Sequence, residues 1–244
     1  MDTNPRVAII LPTYCEAENI GDMIHAIENL KLNSTILVVD DSSPDETQNI
    51  VRELQEEYGD ILLLERPQKM GLGTAITDGF RFLLALPNQP DYIIAMDADY
   101  SHNPQDIPRL LNLAEKGCEL VVGSRYCQEG HAEGWSLTRL LISRVANKLT
   151  GMVLNLQLSD FTSGFRCYSK GYLVKALPQL HSETYEIQIE TLRQAKIQSS
   201  RIGEVSIVFE NRKKGKSKLS LTELAAFSRY LMRVLWKQVC YREN

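Results

Sequence analysis

The feature that most constrains this chain is an alternation across its first 125 residues, where short β-branched or aliphatic runs take turns with helically spaced stretches. Val7 to Leu11, Thr35 to Val39, Ile61 to Leu64, Tyr92 to Met96 and Leu120 to Val122 read as buried strands. Between them, Ala17 to Leu30, Pro44 to Tyr58, Gly73 to Leu86 and Pro104 to Lys116 read as helices, two with proline near the first turn. Such βαβ units build an α/β domain: a mostly parallel central sheet flanked by helices. Ligands of these sheets bind beyond the carboxyl ends of the strands. That rule singles out Pro12 to Glu16, Asp40 to Ser43, Asp97 to His102 and Gly123 to Arg125.

After Arg125 the pattern changes. A polar loop runs from Cys127 to Trp135, a helical stretch from Leu137 to about Leu156, a turn-rich DFTSG over 160–164, and a late strand from Arg201 to Phe209. A basic loop, Arg212 to Lys218, leads into a final helix, Ser220 to Val239. These boundaries predict one domain over 1–210 and a basic loop with an amphipathic helix over 211–244. A chain of 244 residues can bury one substantial core.

The formal charge of −4 hides an asymmetry: 212–244 holds nine Lys and Arg against two Glu, a surplus of +7 that leaves −11 elsewhere. A basic end on an acidic body predicts an anionic partner there. Nucleic acid is disfavoured, because the basic segment is short and lacks interleaved aromatics. No apolar run approaches the roughly 18 to 20 residues that cross a bilayer, and MDTNPRV has no signal-peptide core, so folding in the cytosol is expected. Five cysteines without a CxxC pair suggest isolated reduced thiols.

Asp97 and Asp99 follow the strand YIIAM, so two carboxylates emerge together at the sheet's carboxyl edge. Paired hard oxygen ligands suit Mg²⁺ or Mn²⁺, which take further ligands from water and a substrate's phosphates. Asp40 and Asp41 end the second strand, where a carboxylate accepts from ribose hydroxyls or base N–H groups. Ser43, Pro44 and Glu46 also form a possible capping box, which would make part of that cluster structural. In KMGLGTA, two glycines open a helix and permit backbone approach to an anion; a plain turn with a solvated Lys69 reads equally well. Arg125, Arg139, Ser143 and Arg144 surround a polar loop and a helix start, and the Arg139 and Ser143 pair shares a face suited to phosphate, with surface ion pairing as the alternative. In the last helix Arg229, Arg233 and Lys237 form a basic stripe beside Leu221, Leu224, Leu231, Met232, Leu235 and Trp236, which fits a membrane interface, a partner surface or an ordinary packed helix.

Eight ordered segments, ILPTYCEAENI, VVDDSSPDET, KMGLGTA, MDADYSHNP, VVGSRY, GWSLTRLLISRVAN, DFTSGFRCYSK and RIGEVSIVFENRKKGKSKLS, resemble the dolichol-phosphate (polyprenol-phosphate) mannosyltransferase branch of glycosyltransferase family two. The resemblance covers almost the whole chain to Leu219 and implies a single glycosyltransferase A type nucleotide-binding domain. It also implies transfer of mannose from GDP-mannose to a polyprenyl or dolichyl monophosphate, with UDP-glucose as an alternative donor. Carried over by residue, it assigns Pro12, Tyr14, Glu16 and Asp41 to the nucleoside, and Asp97 and Asp99 to the metal and diphosphate. Arg125, Arg139 and Ser143 would hold the lipid phosphate, and Arg212 with Lys218 would close over the donor. Asp160 is a candidate to orient an arginine. Three positions depart from the pattern: Cys15 replaces Asn, Ser101 stands where some relatives present Gln to the metal, and Lys216 makes GKSK of the usual GESK.

The expected enzyme is peripheral at the cytoplasmic face of a membrane, alone or with a membrane subunit. Two rival classes share parts of the pattern. A dinucleotide-binding oxidoreductase lacks support, because no GxGxxG follows the first strand. A non-catalytic nucleotide-sugar-binding adaptor differs only in turnover.

Overall fold

The computed structural model describes residues 5–211 and 221–240, with side chains of the last helix described over 227–236. Strands β1 (Val7–Thr13), β2 (Thr35–Asp40), β3 (Ile61–Glu65), β4 (Tyr92–Ala95) and β5 (Leu120–Ser124) alternate with helices α1 (Ile20–Glu28), α2 (Thr47–Glu57), α3 (Leu72–Ala85) and α4 (Ile107–Glu115). The central sheet has the order β3-β2-β1-β4-β7-β5-β8, where β7 is Arg166–Ser169 and β8 is Ile202–Ser206. All its pairings are parallel except those of β7, which runs antiparallel to both β4 and β5.

Alternation along the strands divides the core into two layers. Ala8, Ile10, Leu37 and Val39 pack with Phe80, Leu83 and Tyr172 on one face. Ile9, Leu11, Ile36 and Val38 pack with Met23, Ile24 and Leu110 on the other. Both faces of β1 and β2 are therefore dry, as a helix-covered parallel sheet requires.

Three loops leave the carboxyl edge through left-handed residues: Cys15 after β1 (φ 55°), Ser42 after β2 (φ 53°) and Tyr100 after β4 (φ 63°). Non-glycine residues rarely adopt this conformation, and it concentrates where surrounding structure over-determines the backbone.

The second half departs from its expected form. The late strand is two pieces, β8 and the short β9 (Val208–Phe209), and β9 pairs parallel with β6 (His131–Ala132). Helix α5 (Leu137–Leu154) begins at Ser136, whose hydroxyl accepts from Arg139 N–H, and ends at left-handed Asn155. Helices α6 (Lys170–Ala176) and α7 (Ile187–Ile197) complete the body, and α8 (Leu221–Cys240) buries Leu231 and Val234 in the layer that holds Val153 and Leu154. Among the described residues no helix is long and apolar enough to cross a membrane.

Candidate active site

Asp40 and Asp41 have different jobs. Asp40 is fully buried and accepts from the Thr13 hydroxyl (2.9 Å), the Ser43 N–H (2.8 Å) and hydroxyl (2.6 Å), and the Gln48 amide (2.7 Å). It ties β1, β2 and α2 together. Ser43 therefore does not form the expected capping box: α2 starts at Thr47, whose N–H is accepted by Asp45 at 3.2 Å, and the Ser43 hydroxyl accepts from Cys15 N–H at 2.9 Å. The hydrogen bonds from Thr47 and Ala17 hold the Asp45 carboxyl below its ordinary range even though burial opposes them.

Asp41 is also buried, with its carboxylate held by Arg66 at 2.8 Å and by the N–H groups of Met70 and Gly71 at 3.1 Å each. Arg66 is nearly buried and also binds the Gly71 carbonyl (3.3 Å), Asp78 (3.5 Å) and the Thr74 hydroxyl. Sequence reasoning missed Arg66; an arginine closing an apolar strand, with Asp at the same level of the neighbouring strand, was the available signal.

The glycines of KMGLG serve packing rather than anion approach. A Cβ at Gly73 would lie 2.4 Å from the Ser182 carbonyl, and one at Gly71 2.5 Å from that of Glu183, with Gly71 at φ 99°. The Gly73 N–H is bonded to the Glu183 carbonyl at 3.0 Å, so part of the helix start is spent on protein. Lys69 is not simply solvated: its ammonium lies 4.0 Å over the Tyr14 ring. Glu16 is buried, its Oε2 accepting from Asn19 at 2.9 Å, and Pro12 pairs with Val39 just beyond the end of the β1–β4 ladder.

Asp99 is buried and accepts from Ser101 N–H (3.0 Å) and from the Ser101 hydroxyl. Ser101 thus serves the carboxylate. Asp97 is 38% exposed, and its N–H donates to His102 Nδ1 at 3.0 Å. An imidazole accepting at Nδ1 is the neutral tautomer with its proton on Nε2. Burial pulls the His102 pKa down and keeps it so, against the fields of Asp97 and Asp99. His102 also stacks on Phe165 with centroids 5.1 Å apart. Among the described residues no group of three or more Asp, Glu, His or Cys is placed to hold a metal ion.

Arg125 and Asp160 form a buried pair, with Nε to Oδ2 at 2.7 Å and Nη2 to Oδ1 at 2.8 Å. The Arg125 N–H reaches Oδ2 at 3.1 Å and Nη2 also reaches Thr162 at 2.6 Å. Burial opposes both charges, yet each partner overcomes it: the Arg125 pKa is raised and that of Asp160 lowered. Asp160 therefore does orient an arginine. Nη1 of Arg125 carries no hydrogen bond among the described residues, so one edge of the fork is left for a ligand.

Arg139 stacks on the Trp135 ring at 4.0 Å, and Ser143, one turn on, accepts from the Tyr126 hydroxyl at 2.7 Å. Asn147, a further turn along α5, donates to Thr162 at 3.2 Å and accepts from Phe161 N–H at 2.6 Å, fastening α5 to the Asp160 loop. Arg166 of SGFR is fully buried, binding the carbonyls of Ser163, Gln188 and Phe161 and the Thr191 hydroxyl at 2.6–2.8 Å. It is a staple under the site. Arg212 and Lys218 lie outside the described residues.

Beside these groups, α5 exposes Leu137, Leu141, Ile142, Val145, Leu149 and Met152, and α8 exposes Met232, Leu235 and Trp236. Arg144, Lys148, Arg229 and Arg233 are exposed on the same two helices.

Comparison with known proteins gives the family. The glycosyl transferase family 2 model matches residues 8–176. A polyprenol monophosphomannose synthase of Mycolicibacterium smegmatis is 35% identical over 217 residues, 88% of this chain and 81% of that protein. An undecaprenyl-phosphate mannosyltransferase of Micrococcus luteus is 37% identical over 217 residues, 88% of each. Among solved structures, glucosyl-3-phosphoglycerate synthase from Mycobacterium tuberculosis, in complex with Mn²⁺, UDP and phosphoglyceric acid, has a TM-score of 0.67 at 20% identity, covering 96% of this chain and 78% of that one. The mannosyltransferase PcManGT from Pyrobaculum calidifontis, in complex with GDP-Man and Mn²⁺, has a TM-score of 0.62 at 17% identity, covering 95% and 65%. This chain is a glycosyltransferase of family 2, in the branch that holds the polyprenyl-phosphate mannosyltransferases.

Proposed function

We propose that this enzyme transfers mannose from GDP-mannose to a polyprenyl monophosphate at a membrane surface, with inversion at the anomeric carbon. The observation that carries the lipid acceptor is the continuity of two surfaces. The phosphate-binding candidates Arg139 and Ser143 sit on α5, whose exposed side is the apolar row Leu137, Leu141, Val145 and Leu149. A lipid lying along that row delivers its phosphate to Arg139, Ser143 and the open edge of Arg125. The names of the two relatives support the same acceptor and sugar, and a fold neighbour binds GDP-Man.

Asp97 and Asp99 fit a hard divalent cation, Mg²⁺ or Mn²⁺, because both offer carboxylate oxygens and Asp97 is accessible. With no third protein ligand in reach among the described residues, the remaining ligands of such an ion would come from the donor diphosphate and water. When bound, such an ion stabilises the charge that develops on the departing diphosphate. The protein's own residues orient. Pro12, Tyr14, Glu16 and Asp41 are assigned to the nucleoside, and Arg212 and Lys218, outside the described residues, to the donor phosphates.

An oxygen of the lipid phosphate forms the new bond to the anomeric carbon while the bond to the diphosphate breaks, and GDP leaves with that electron pair. A phosphate monoester has a second pKa near about 6, so the nucleophile is already ionised and needs no general base. Arg125, Arg139 and Ser143 contribute by alignment.

The test is transfer of label from a panel of nucleotide sugars to polyprenyl phosphate in detergent, with and without Mg²⁺ or Mn²⁺. Metal-dependent glycolipid from GDP-mannose alone supports the reading. Label from UDP-glucose replaces the donor, and binding of nucleotide sugar with no product from any donor makes the chain an adaptor. For the membrane contact, Leu141→Asp with Leu149→Asp should weaken binding to anionic vesicles about a hundredfold; unchanged flotation would move the contact elsewhere.

A further inference from the structure

We propose that Trp135 is a positioning residue of the acceptor site, an aromatic platform that sets Arg139 and Arg125 toward one anionic group. This rests on the lipid-phosphate reading and adds a residue to it. Both guanidinium carbons lie close to the same indole ring, Arg139 at 4.0 Å and Arg125 at 5.3 Å from its centroid. Two cations gathered beside one ring repel each other; the ring's quadrupole attracts Arg139, and it adds to the anchorage of Arg125, which Asp160 orients and which also lies 5.5 Å from the Tyr126 and Phe209 rings. Asp160 compensates the charge of Arg125 from the other side. Arg139 projects from the first turn of a helix at the protein surface, and stacking removes rotamers that a long side chain there would otherwise sample.

The platform is itself built into the fold. The pairing of β6 with β9 places Ala132 opposite Phe209, and the Glu133 N–H donates to the Phe209 carbonyl at 2.8 Å. Phe209 then meets the indole edge to face, with centroids 5.3 Å apart at 74°. The turn before it depends on Gly134, at φ 70°, where a Cβ would lie 2.7 Å from the Asn211 amide nitrogen. Asn211 bonds the Gly134 carbonyl and accepts from Arg139 Nη1 at 3.5 Å.

Phe209 continues the contact inward, edge to face on His102 at 5.3 Å, and His102 accepts from the Asp97 N–H. A continuous set of rings therefore joins the arginines to the residue pair that would serve the donor diphosphate. The indole Nε1–H is buried and has no hydrogen-bond partner among the described residues, so the corner holds an excess of donors.

The experiment uses the full chain. Trp135→Leu removes ring and N–H, and should raise the Michaelis constant for polyprenyl phosphate about tenfold while those for GDP-mannose and kcat move less than about threefold. Trp135→Phe keeps a ring and should restore most of that loss. Equal effects on both substrates, or a Phe variant as poor as Leu, overturns the platform.

A binding readout separates this from turnover. The chain has two tryptophans, so in Trp236→Phe the emission reports Trp135 alone. Titration with a short-chain isoprenyl monophosphate, without donor or metal, should change that emission saturably, and the matching isoprenyl alcohol should not. No change, or the same change with the alcohol, refutes the proposal. A saturable phosphate response from a chain that makes no glycolipid keeps the platform and removes the mannosyl-transfer reading.

Discussion

The two ends of the carboxyl edge are built on opposite plans. At the β1–β2 end, polar groups are paired inside the protein: Asp40 has four donors, and Asp41 is held by Arg66 and two backbone N–H groups. At the β5 end the anchor is equally closed, Arg125 on Asp160, but Arg139 and Ser143 stand on a helix whose outer row is apolar and exposed. A water-soluble nucleotide can be met by a preformed cleft. A lipid phosphate arrives from a surface, so its site has to stay open on that side. On the proposed function, the closed end takes the donor and the open end the acceptor, with Asp97 and Asp99 between them.

The largest effect should come at that midpoint. Asp97→Asn should lower kcat by about a thousandfold with little loss of stability, because the side chain is 38% exposed. Near-normal turnover in this variant would remove the carboxylate pair from the chemistry and leave the two ends with no shared centre.

Next is the anchor of the open end. Asp160→Asn leaves the buried Arg125 charge uncompensated and should cost about 3–5 kcal/mol of unfolding free energy at pH 7. The Asp160 carboxyl is held below its ordinary value, so its contribution is complete above the unfolded pKa and fades as pH falls through the folded one. The gap between wild type and variant should therefore narrow in acid. Denaturant titrations at pH 7 and near pH 3 check the sign; a constant gap would assign the loss to packing rather than charge.

The first five strands were legible because each is a continuous apolar run, buried on both faces in all but the edge strand β3. The strand β7 was not, since it begins with Arg166 and ends with Ser169. A charged residue enters a sheet only when carbonyls are waiting for it, and those of Ser163, Gln188 and Phe161 come from loops and a helix that periodicity does not bring together. The carboxylates of the closed end were legible by position, but their division of labour was not. Asp40 and Asp41 are adjacent in sequence, and only the fold turns one inward and the other toward Arg66. Arg125 and Asp160 are 35 residues apart and meet because a loop crosses from β5 toward β7. The capping box failed for a related reason: Ser43 had a stronger local partner in Asp40, and Asp45, two residues on, accepts from the Thr47 N–H where α2 begins.

The closed end makes its own prediction through Arg66. Replacing it by Met keeps the length and removes the cation, leaving Asp41 with backbone donors alone. The Michaelis constant for GDP-mannose should rise about tenfold while that for polyprenyl phosphate stays within about twofold. An equal rise in both would mean that the two ends are mechanically coupled, and the contrast drawn above would collapse into a single rigid cleft.

The smallest expected effect has the opposite sign. Cys15 holds φ 55° in the turn after β1, a conformation that Asn adopts more readily than Cys. Its N–H donates to Ser43 at 2.9 Å, a backbone contact that side-chain replacement leaves in place. Cys15→Asn should therefore stabilise the fold by about 0.5–1 kcal/mol, and Cys15→Val should destabilise it, because a β-branched side chain is an outlier there. If both variants unfold at the wild-type denaturant midpoint, the turn carries no strain, and the closed end is held by its hydrogen bonds without a conformational load on β1.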